Sequence, residues 1–467
     1  MNRPALLAML CGVVAAPAAA ETLTDALAAA YHTNPQLLAQ RAQQQVTDET
    51  YVQAETGLRP TLSASGAVQR GVEPNDTADL AEGVSNFNDG QAALTLSQPL
   101  YTGGQTTWAI RQAKARVLAG REGLRGVEAA VFQAAIQAYV DVLRDQDVLA
   151  VRHADLDTLQ RQADEAKAKF DLGQVTRTDV FQAQTQLEAA RAALSAAQAQ
   201  LEVSRAEYAA AIGQAPGPLS APENLPGLPK TVDEAFDLAE ASNAGLDQSR
   251  LTEQASRAAI AEAQSAYRPT VSASASFGYI GPASPLRPGD YDRNALAQVT
   301  IAQPLLTGGL RASNVRSAIA QNASDRINIE AARRAAVQQT AQAWYQLLAG
   351  QQQTVANQAQ VTAAEDALKG VQLEYGYGLR STLDVLIADQ NLRSAQVALA
   401  GSRHDTYVAE AQVLSAVGRL EAAWLLPNEP HYDPAQSFDK VRRSGALPWD
   451  GVVSGLDSLG APPAPDR

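Results

Sequence analysis

Two periods organise the hydrophobic and polar positions of this chain. In four short segments apolar and polar residues alternate, the period of a strand with two unlike faces. Leu62, Ala64, Gly66 and Val68 fall on one face, and Thr61, Ser63, Ser65 and Gln69 on the other. Ala92, Leu94 and Leu96 oppose Gln91, Thr95 and Ser97. Val271, Ala273, Ala275, Phe277 and Tyr279 oppose Thr270, Ser272, Ser274 and Ser276, and Ala297, Val299 and Ile301 oppose Gln298 and Thr300. The second period is seven. Val180, Leu187, Leu194, Leu201 and Tyr208 recur with Ala183, Ala190, Ala197, Ser204 and Ala211 three places on. Val385, Leu392, Leu399, Thr406 and Val413 do the same with Ala388, Ala395, Ser402, Ala409 and Ala416. Val142, Leu149, Leu156, Ala163 and Phe170 keep the spacing, as do Leu347, Thr354, Val361, Leu368 and Tyr375. A seven-residue repeat predicts left-handed coiled-coil packing, and one small residue per heptad lets helices approach closely. No proline interrupts Gln105 to Asp171, so a single helix of roughly 100 Å is expected there.

These elements occur twice in the same order. LTDALAAAYHTNPQL (23–37) matches VDEAFDLAEASNAGL (232–246), and LRPTLSASGAV (58–68) matches YRPTVSASASF (267–277). QPLYTGG (98–104) matches QPLLTGG (303–309), and FDLGQVTRTDV (170–180) matches YGYGLRSTLDV (375–385). Such self-similarity marks a tandem duplication. The first repeat is expected at 21–212, with a helix, a strand pair at 60–100 and a helical hairpin at 105–212. The second is expected at 231–426, with a helix, a strand pair at 269–305 and a hairpin at 310–420. A Pro/Gly-rich link at 213–230 joins them. The prolines of the tail at 427–467 point to an ordered wrap at most, or to disorder. Pro60 and Pro269 stop the helices that precede the strands.

The alternating segments are about as long as tilted membrane-spanning strands. Small polar residues on one face and apolar ones on the other suit a barrel with a wet lumen and a lipid exterior. A soluble antiparallel sheet with one buried face has the same alternation. Phe87, Tyr101, Tyr267 and Tyr291 lie near strand ends, where an aromatic girdle would be. The stretches 71–90 and 281–293 read as polar loops. Four strands cannot close a barrel, and an open edge cannot sit in lipid. If the strands span, several chains share one barrel: two copies give eight strands and three give twelve.

Composition narrows the classes. Of 467 residues 46% are hydrophobic but only 5% aromatic, which fits long packed helices better than an ordinary globular core. Residues 1–20 predict a secretory signal, with Arg3, an apolar Leu6 to Val14 and the small Ala18-Ala19-Ala20. The sole cysteine, Cys11, and both methionines lie in it. Leu10 stands where lipid anchoring of Cys11 would need a small residue. The remainder has no thiol for a disulfide or a Cys-based zinc site. Its 36 basic and 50 acidic side chains leave −14, the wrong sign for a nucleic-acid binder. His32, His153, His404 and His431 lack metal-ligand spacing, and His153 and His404 read as helix-surface residues. Gly103-Gly104 and Gly308-Gly309 lack a phosphate-loop lysine and read as strand-to-helix junctions. No catalytic constellation, metal site or cofactor motif emerges, and an enzyme is not expected.

Thr176-x-x-Asp179 and Ser381-x-x-Asp384 have the form of helix capping boxes, with Asp for the usual Glu or Gln. The duplication, the RPT and serine-rich strand starts, the QPL-[YL]-TGG junctions and the G-x5-DV turns at Gly173–Val180 and Gly378–Val385 make a pattern that resembles the TolC-like outer membrane factors. The resemblance covers the chain from residue 21 to about Leu426. It implies an α+β membrane protein: a homotrimer whose copies give four strands each to a 12-stranded β-barrel in outer-membrane lipid, continuing into a long α-helical coiled-coil barrel. It implies the outer membrane of a Gram-negative bacterium, with a large periplasmic portion. The function implied is a passive, gated exit duct of a tripartite efflux pump or type I secretion system, working with a periplasmic adaptor and an inner-membrane pump or ABC exporter. The link 213–230 would belong to a belt around the cylinder. The turns would form the periplasmic tip, with adaptor docking at Gly173, Gln174, Val175, Gly378, Leu379 and Ser381. By motif match Tyr375 and Arg380 would hold Thr178 and Asp179 to keep the entrance shut, and Asp384 would line the pore. Ile387 stands where the best-known member has a second acidic ring. A soluble periplasmic coiled-coil adaptor is the alternative that the heptads alone leave open.

Overall fold

The computed structural model describes residues 20–75, 83–283 and 290–463. The first half contains α1 (Leu23–Thr33), α2 (Pro35–Glu55), β1 (Thr61–Asn75), β2 (Gly83–Tyr101), α3 (Gln105–Asp171) and α4 (Arg177–Ile212). The second repeats the order with α5 (Val232–Ser242), α6 (Ala244–Ser265), β3 (Thr270–Pro282), β4 (Asp292–Ala302), α7 (Leu310–Gly376) and α8 (Thr382–Ala416). Three short helices follow: α9 (Ala422–Leu425), α10 (Pro434–Arg442) and α11 (Asp450–Leu459). Helix α3 takes up the whole proline-free stretch, and its counterpart α7 has the same 67 residues. The expected signal falls, but for Ala20, outside the described residues.

The four strands form one antiparallel sheet in the order β1-β2-β3-β4. Their registers carry the alternation across the sheet. Leu62 faces Leu96, which faces Ala275, which faces Ala297. Ala64, Leu94, Phe277 and Ala295 form the next row of the same face. The offset row runs Thr61, Ser97, Ser274, Gln298 on the other face. One face is thus apolar from edge to edge, and Leu62, Val68, Leu94, Val299 and Ile301 are exposed on it. Among the described residues β1 and β4 each pair on one side only. The strands run farther than their alternation. Pairing continues through the stretches read as loops, to Asn75 opposite Gly83 and Pro282 opposite Asp89. Once register is set, ladder hydrogen bonds propagate without side-chain alternation. The rest of those loops, 76–82 and 284–289, lies outside the described residues.

The chain forms two compact units. One gathers the described part of Met1–Leu38 with Val127–Ala241 and Gln338–His431. Its core is built on the heptads. Val361, Leu368, Val385, Leu392, Ala395 and Leu399 form one cluster between α7 and α8. Leu159, Leu187, Ala190 and Leu386 form another, joining α3, α4 and α8. The link 213–230 is folded down on this unit. Tyr139 and Tyr208 are fully buried; the Tyr139 hydroxyl donates to Glu21 O (2.9 Å) and Ser220 O (2.7 Å), and the Tyr208 hydroxyl to Glu21 Oε1 (2.7 Å). Arg419 reaches Gly227 O (2.8 Å) and Tyr407 reaches Glu223 O.

His404, read from sequence as a surface residue, is instead enclosed between α8 and α3. Its Nε2 lies 3.0 Å from Asp141 Oδ1 and its Nδ1 2.9 Å from Asp405 Oδ1, while Arg144 also pairs with Asp141 at 2.7 Å. Burial opposes a charge on the imidazole, but the two carboxylates outweigh it and its pKa is raised. The stabilisation is therefore complete below the unfolded value of 6.5 and is lost as pH rises through the folded value. Amide protection in this part of α8, followed by hydrogen exchange, is expected to fall over that range. The fall should be absent in His404→Gln, and an identical pH profile in the variant would remove His404 as its cause.

The other unit gathers Ala39–Gly126, Ser242–Val337 and the described part of Tyr432–Arg467. It holds the sheet, and the tail folds onto it. Up to Pro463 the Pro-rich tail is ordered and includes α10 and α11. Phe438 of α10 packs edge-on against Tyr51 of α2, centroids 5.0 Å apart, and α11 seats Val453 and Asp457 inward.

Candidate functional site

Each long hairpin turns through the same local structure. Gln174 N–H donates to Lys169 O (2.9 Å) and Gly173 N–H to Phe170 O (2.8 Å). Leu379 and Gly378 repeat the pair with Glu374 and Tyr375, both at 2.9 Å. This is a Schellman ending, which needs a left-handed residue just past the helix. Gly173 (φ 72°) and Gly378 (φ 75°) supply it. The next helix starts at once with a capping box. Thr176 N–H donates to Asp179 Oδ2 (2.8 Å) and Asp179 N–H to Thr176 Oγ1 (3.3 Å). Ser381 and Asp384 match this at 2.9 and 3.3 Å. Both boxes stand where the sequence spacing placed them. The backbone bond from Ser381, then its hydroxyl, hold the Asp384 carboxyl below the usual carboxylate range.

The residues expected to close an entrance are all at these turns, but they do not all meet within one chain. Asp179 and Asp384 are committed to their caps, and Thr178 is exposed. Arg380 Nε donates to Glu374 Oε2 at 2.7 Å, within its own hairpin. Tyr375 bridges the hairpins, to a residue the sequence reading did not select. Lys169 Nζ donates to the Tyr375 hydroxyl at 2.9 Å and lies 4.4 Å from the ring centroid. Lys169 also pairs with Glu165 at 2.7 Å. Glu165 first, and then Tyr375, raise the ammonium pKa, so Lys169 stays charged. A signal for it was available. In the repeat alignment Lys169 falls opposite Glu374, so the two turns carry opposite charges at one equivalent position.

Around this polar link the turns expose large apolar groups. Leu172, Leu379 and Tyr377 are 74%, 74% and 81% exposed. Gln174, Gly378 and Ser381 are exposed and Val175 half-buried. In the first hairpin a groove of about 460 Å³ runs beside the turn, lined by Phe170, Arg177, Phe181, Gln184, Glu188 and Arg191 among others. Ile387, exposed, lies one helical turn beyond Asp384, on nearly the same face. Farther along the helices, α8 and α3 enclose a charged cluster that the sequence reading also missed. Buried Asp389 lies 3.3 Å from Arg393, Arg393 reaches Thr158 Oγ1 (3.5 Å), and Arg152 lies 4.0 Å from Asp155. Burial pushes the Asp155 and Asp389 carboxyls upward.

Comparison with known proteins covers both halves of the chain. Residues 26–214 and 235–419 match the outer membrane efflux protein family. Outer membrane efflux protein BepC of Brucella suis biovar 1 (strain 1330) is 31% identical over 425 residues, 91% of each chain. Outer membrane protein TolC of Escherichia coli (strain K12) is 26% identical over 428 residues, 87% of this chain and 84% of TolC. Among solved structures, the Campylobacter jejuni CmeC outer membrane channel superposes with a TM-score of 0.76 at 16% identity, over 91% of this chain and 89% of CmeC.

Proposed function

The chain belongs to the outer membrane efflux protein family, and from that premise we propose that its two hairpin turns are the gated, partner-facing entrance of an efflux duct. The protein is an outer-membrane exit channel of a Gram-negative bacterium. It has the fold of the TolC-like channels, in which three copies share one 12-stranded barrel together with a coiled-coil helical barrel. The apolar sheet face is the lipid side of that barrel. A soluble coiled-coil adaptor has no use for such a face, and that reading is set aside.

The observation that carries the proposal is the make-up of the turns. Large apolar groups stand in water there, on backbones already fixed by Schellman endings and capping boxes. A preformed apolar surface of this kind suits docking, because little ordering entropy opposes it. We assign the docking partner to a periplasmic adaptor, which couples the duct to an inner-membrane pump or ABC exporter. The gate is assigned to Tyr375, Arg380, Asp384, Thr178 and Asp179, with Lys169 added. In a threefold assembly Asp384 becomes a ring of three carboxylates, which favours cations.

Bulk at the turn glycines tests docking. Any side chain at Gly173 or Gly378 meets the same left-handed strain, of order 1–2 kcal/mol, and no atom within 4 Å. Gly173→Ala with Gly378→Ala therefore carries the strain without the bulk. The double Ala variant is expected to keep transport, and Gly173→Trp with Gly378→Trp to lose most of it while still forming trimers. Equal transport by the two would place docking elsewhere.

A further inference from the structure

The two repeats treat their QPL-TGG junctions differently. In the first, the chain's own tail covers the junction. Asp457 of α11 is fully buried and accepts from Thr102 N (2.7 Å), Thr102 Oγ1 (2.9 Å), Gly104 N (3.2 Å), Thr107 N (3.2 Å) and Thr107 Oγ1 (2.7 Å). The Tyr101 hydroxyl donates to Gly460 O (3.3 Å) and Trp108 Nε1 to Pro462 O (3.1 Å). A Cβ on Gly104 would stand 2.5 Å from Ala461. In the second junction the same motif is left bare by the described residues. Leu305 and Leu306 are each 91% exposed and Leu310 is exposed. A Cβ on Gly308 or Gly309 would meet nothing within 4 Å. Leu306 is the repeat counterpart of the covered Tyr101.

Helix α11 has two faces. Val453 and Asp457 are buried, while Val452, Leu456 and Leu459 are exposed, Leu459 at 85%. Their spacing of four and three puts these side chains in one stripe. The helix is held at the margin of the sheet where β1 begins. Arg59, just before β1, lies 3.4 Å from Asp450 and donates to Ser444 O at 3.3 Å.

Barrel closure brings the stripe and the bare junction together. Three copies closing one barrel pair the open edge of β4 in one copy with the open edge of β1 in the next. At one margin of the sheet Thr61 pairs with Ser97, Ser97 with Ser274, and Thr270 with Ala302. Strand β1 begins at that margin and β4 ends there. The residues after Ala302 of one copy therefore become neighbours of the residues before Thr61 of the next, and those carry α11.

We propose that the apolar stripe Val452, Leu456 and Leu459 of each copy covers Leu305, Leu306 and Leu310 of its neighbour. Each tail then closes two junctions, its own through Asp457 and the neighbour's through this stripe, and acts as a clasp between protomers. The occupant is a second copy of this chain. It is selected over lipid by continuity with the β4–β1 joint and by a bare apolar patch at the same margin.

Bifunctional cross-linking tests the clasp. Leu456→Cys with Leu306→Cys is introduced into the full chain, and outer-membrane vesicles are treated with a short bismaleimide. The wild type, whose one cysteine is Cys11, is run alongside. Covalent dimers and trimers are expected from the pair. Neither single variant should give them, and nor should Ser454→Cys with Leu306→Cys, whose tail thiol lies on another face of α11. Absence of interchain species from the first pair overturns the proposal. A membrane-impermeant maleimide, applied to the Leu456→Cys single variant, then identifies what replaces it. Labelling of its tail thiol in intact trimers means that the stripe faces water; labelling only after detergent means that it lies on lipid. Leu306→Asp is also expected to lower the temperature at which the trimer dissociates on semi-native gels, and Leu306→Met to leave it unchanged. An unchanged temperature in Leu306→Asp would count equally against the clasp.

Discussion

A Lys169→Met channel is expected to conduct several-fold more current than the wild type in planar bilayers. The contact that it removes joins the last turn of α3 to the last turn of α7, so it must break if the two hairpins part. Lys169 Nζ gives the Tyr375 hydroxyl a hydrogen bond of 2.9 Å and stands 4.4 Å from the ring centroid. At an exposed position such a bond, with its cation–π component, is worth about 1 kcal/mol after screening. One kcal/mol scarcely moves a gate. Three equivalent contacts in a trimer that opens as a unit contribute about 3 kcal/mol, roughly a hundredfold in the ratio of closed to open states. Methionine keeps most of the stem's bulk and removes only the charge and the donors. Tyr375→Phe keeps the ring under the ammonium and is expected to fall between Lys169→Met and the wild type. Asp179→Ala with Arg380→Ser separates this arrangement from the one the family motif suggests. If that double variant conducts strongly while Lys169→Met matches the wild type, closure rests on the motif residues and Lys169 is only a surface link.

What was legible in the sequence was whatever repeats locally. Alternation of two along Leu62 to Val68 and Val271 to Tyr279 needed only the pleat to become one apolar face, because the strand registers set Leu62 beside Leu96 and Leu96 beside Ala275. The heptads of α7 and α8 became a buried cluster for the same reason, with Val361, Leu368, Val385 and Leu392 all at repeat positions. The capping boxes were legible because their partners are three residues apart. What was not legible depends on residues far apart in sequence. His404 has the polarity of a helix surface, and only the approach of α3 puts Asp141 against it. Lys169 sits 206 positions from Tyr375, and no local pattern announces the pair. The tail's prolines hide its helices, yet Pro434 simply begins α10, where a missing N–H costs nothing. Asp457 gains its meaning from Thr102 and Thr107, some 350 residues earlier.

Asp457 carries the second large effect. Its carboxylate takes five hydrogen bonds at the first turn of α3, two from hydroxyls and three from backbone N–H groups. An anion is favoured at a helix N-terminus, where free N–H groups and the helix dipole both point toward it. In Asp457→Ala the Gly104 amide is left buried without its acceptor, and the amides of Thr102 and Thr107 must recruit water where α11 now sits. Charge-assisted bonds contribute about 1.5–3 kcal/mol each, and part of that returns through water. A net loss of roughly 3 kcal/mol at this junction follows, or about a hundredfold in local opening. Amide exchange at Thr102, Gly104 and Thr107 is expected to accelerate by that factor. Trypsin should cut the tail faster at Lys440, Arg442 and Arg443 once α11 detaches. Asp457→Asn keeps the shape and one acceptor oxygen without the charge, and should show a smaller acceleration. The start of α7 is the internal control: among the described residues no part of the chain's own tail lies on its TGG junction, so exchange there should not respond directly to the lost carboxylate. Unchanged protection at Gly104 in Asp457→Ala would mean that Trp108 and Tyr101 hold the tail without it, and that the carboxylate is not what fastens α11 to the junction.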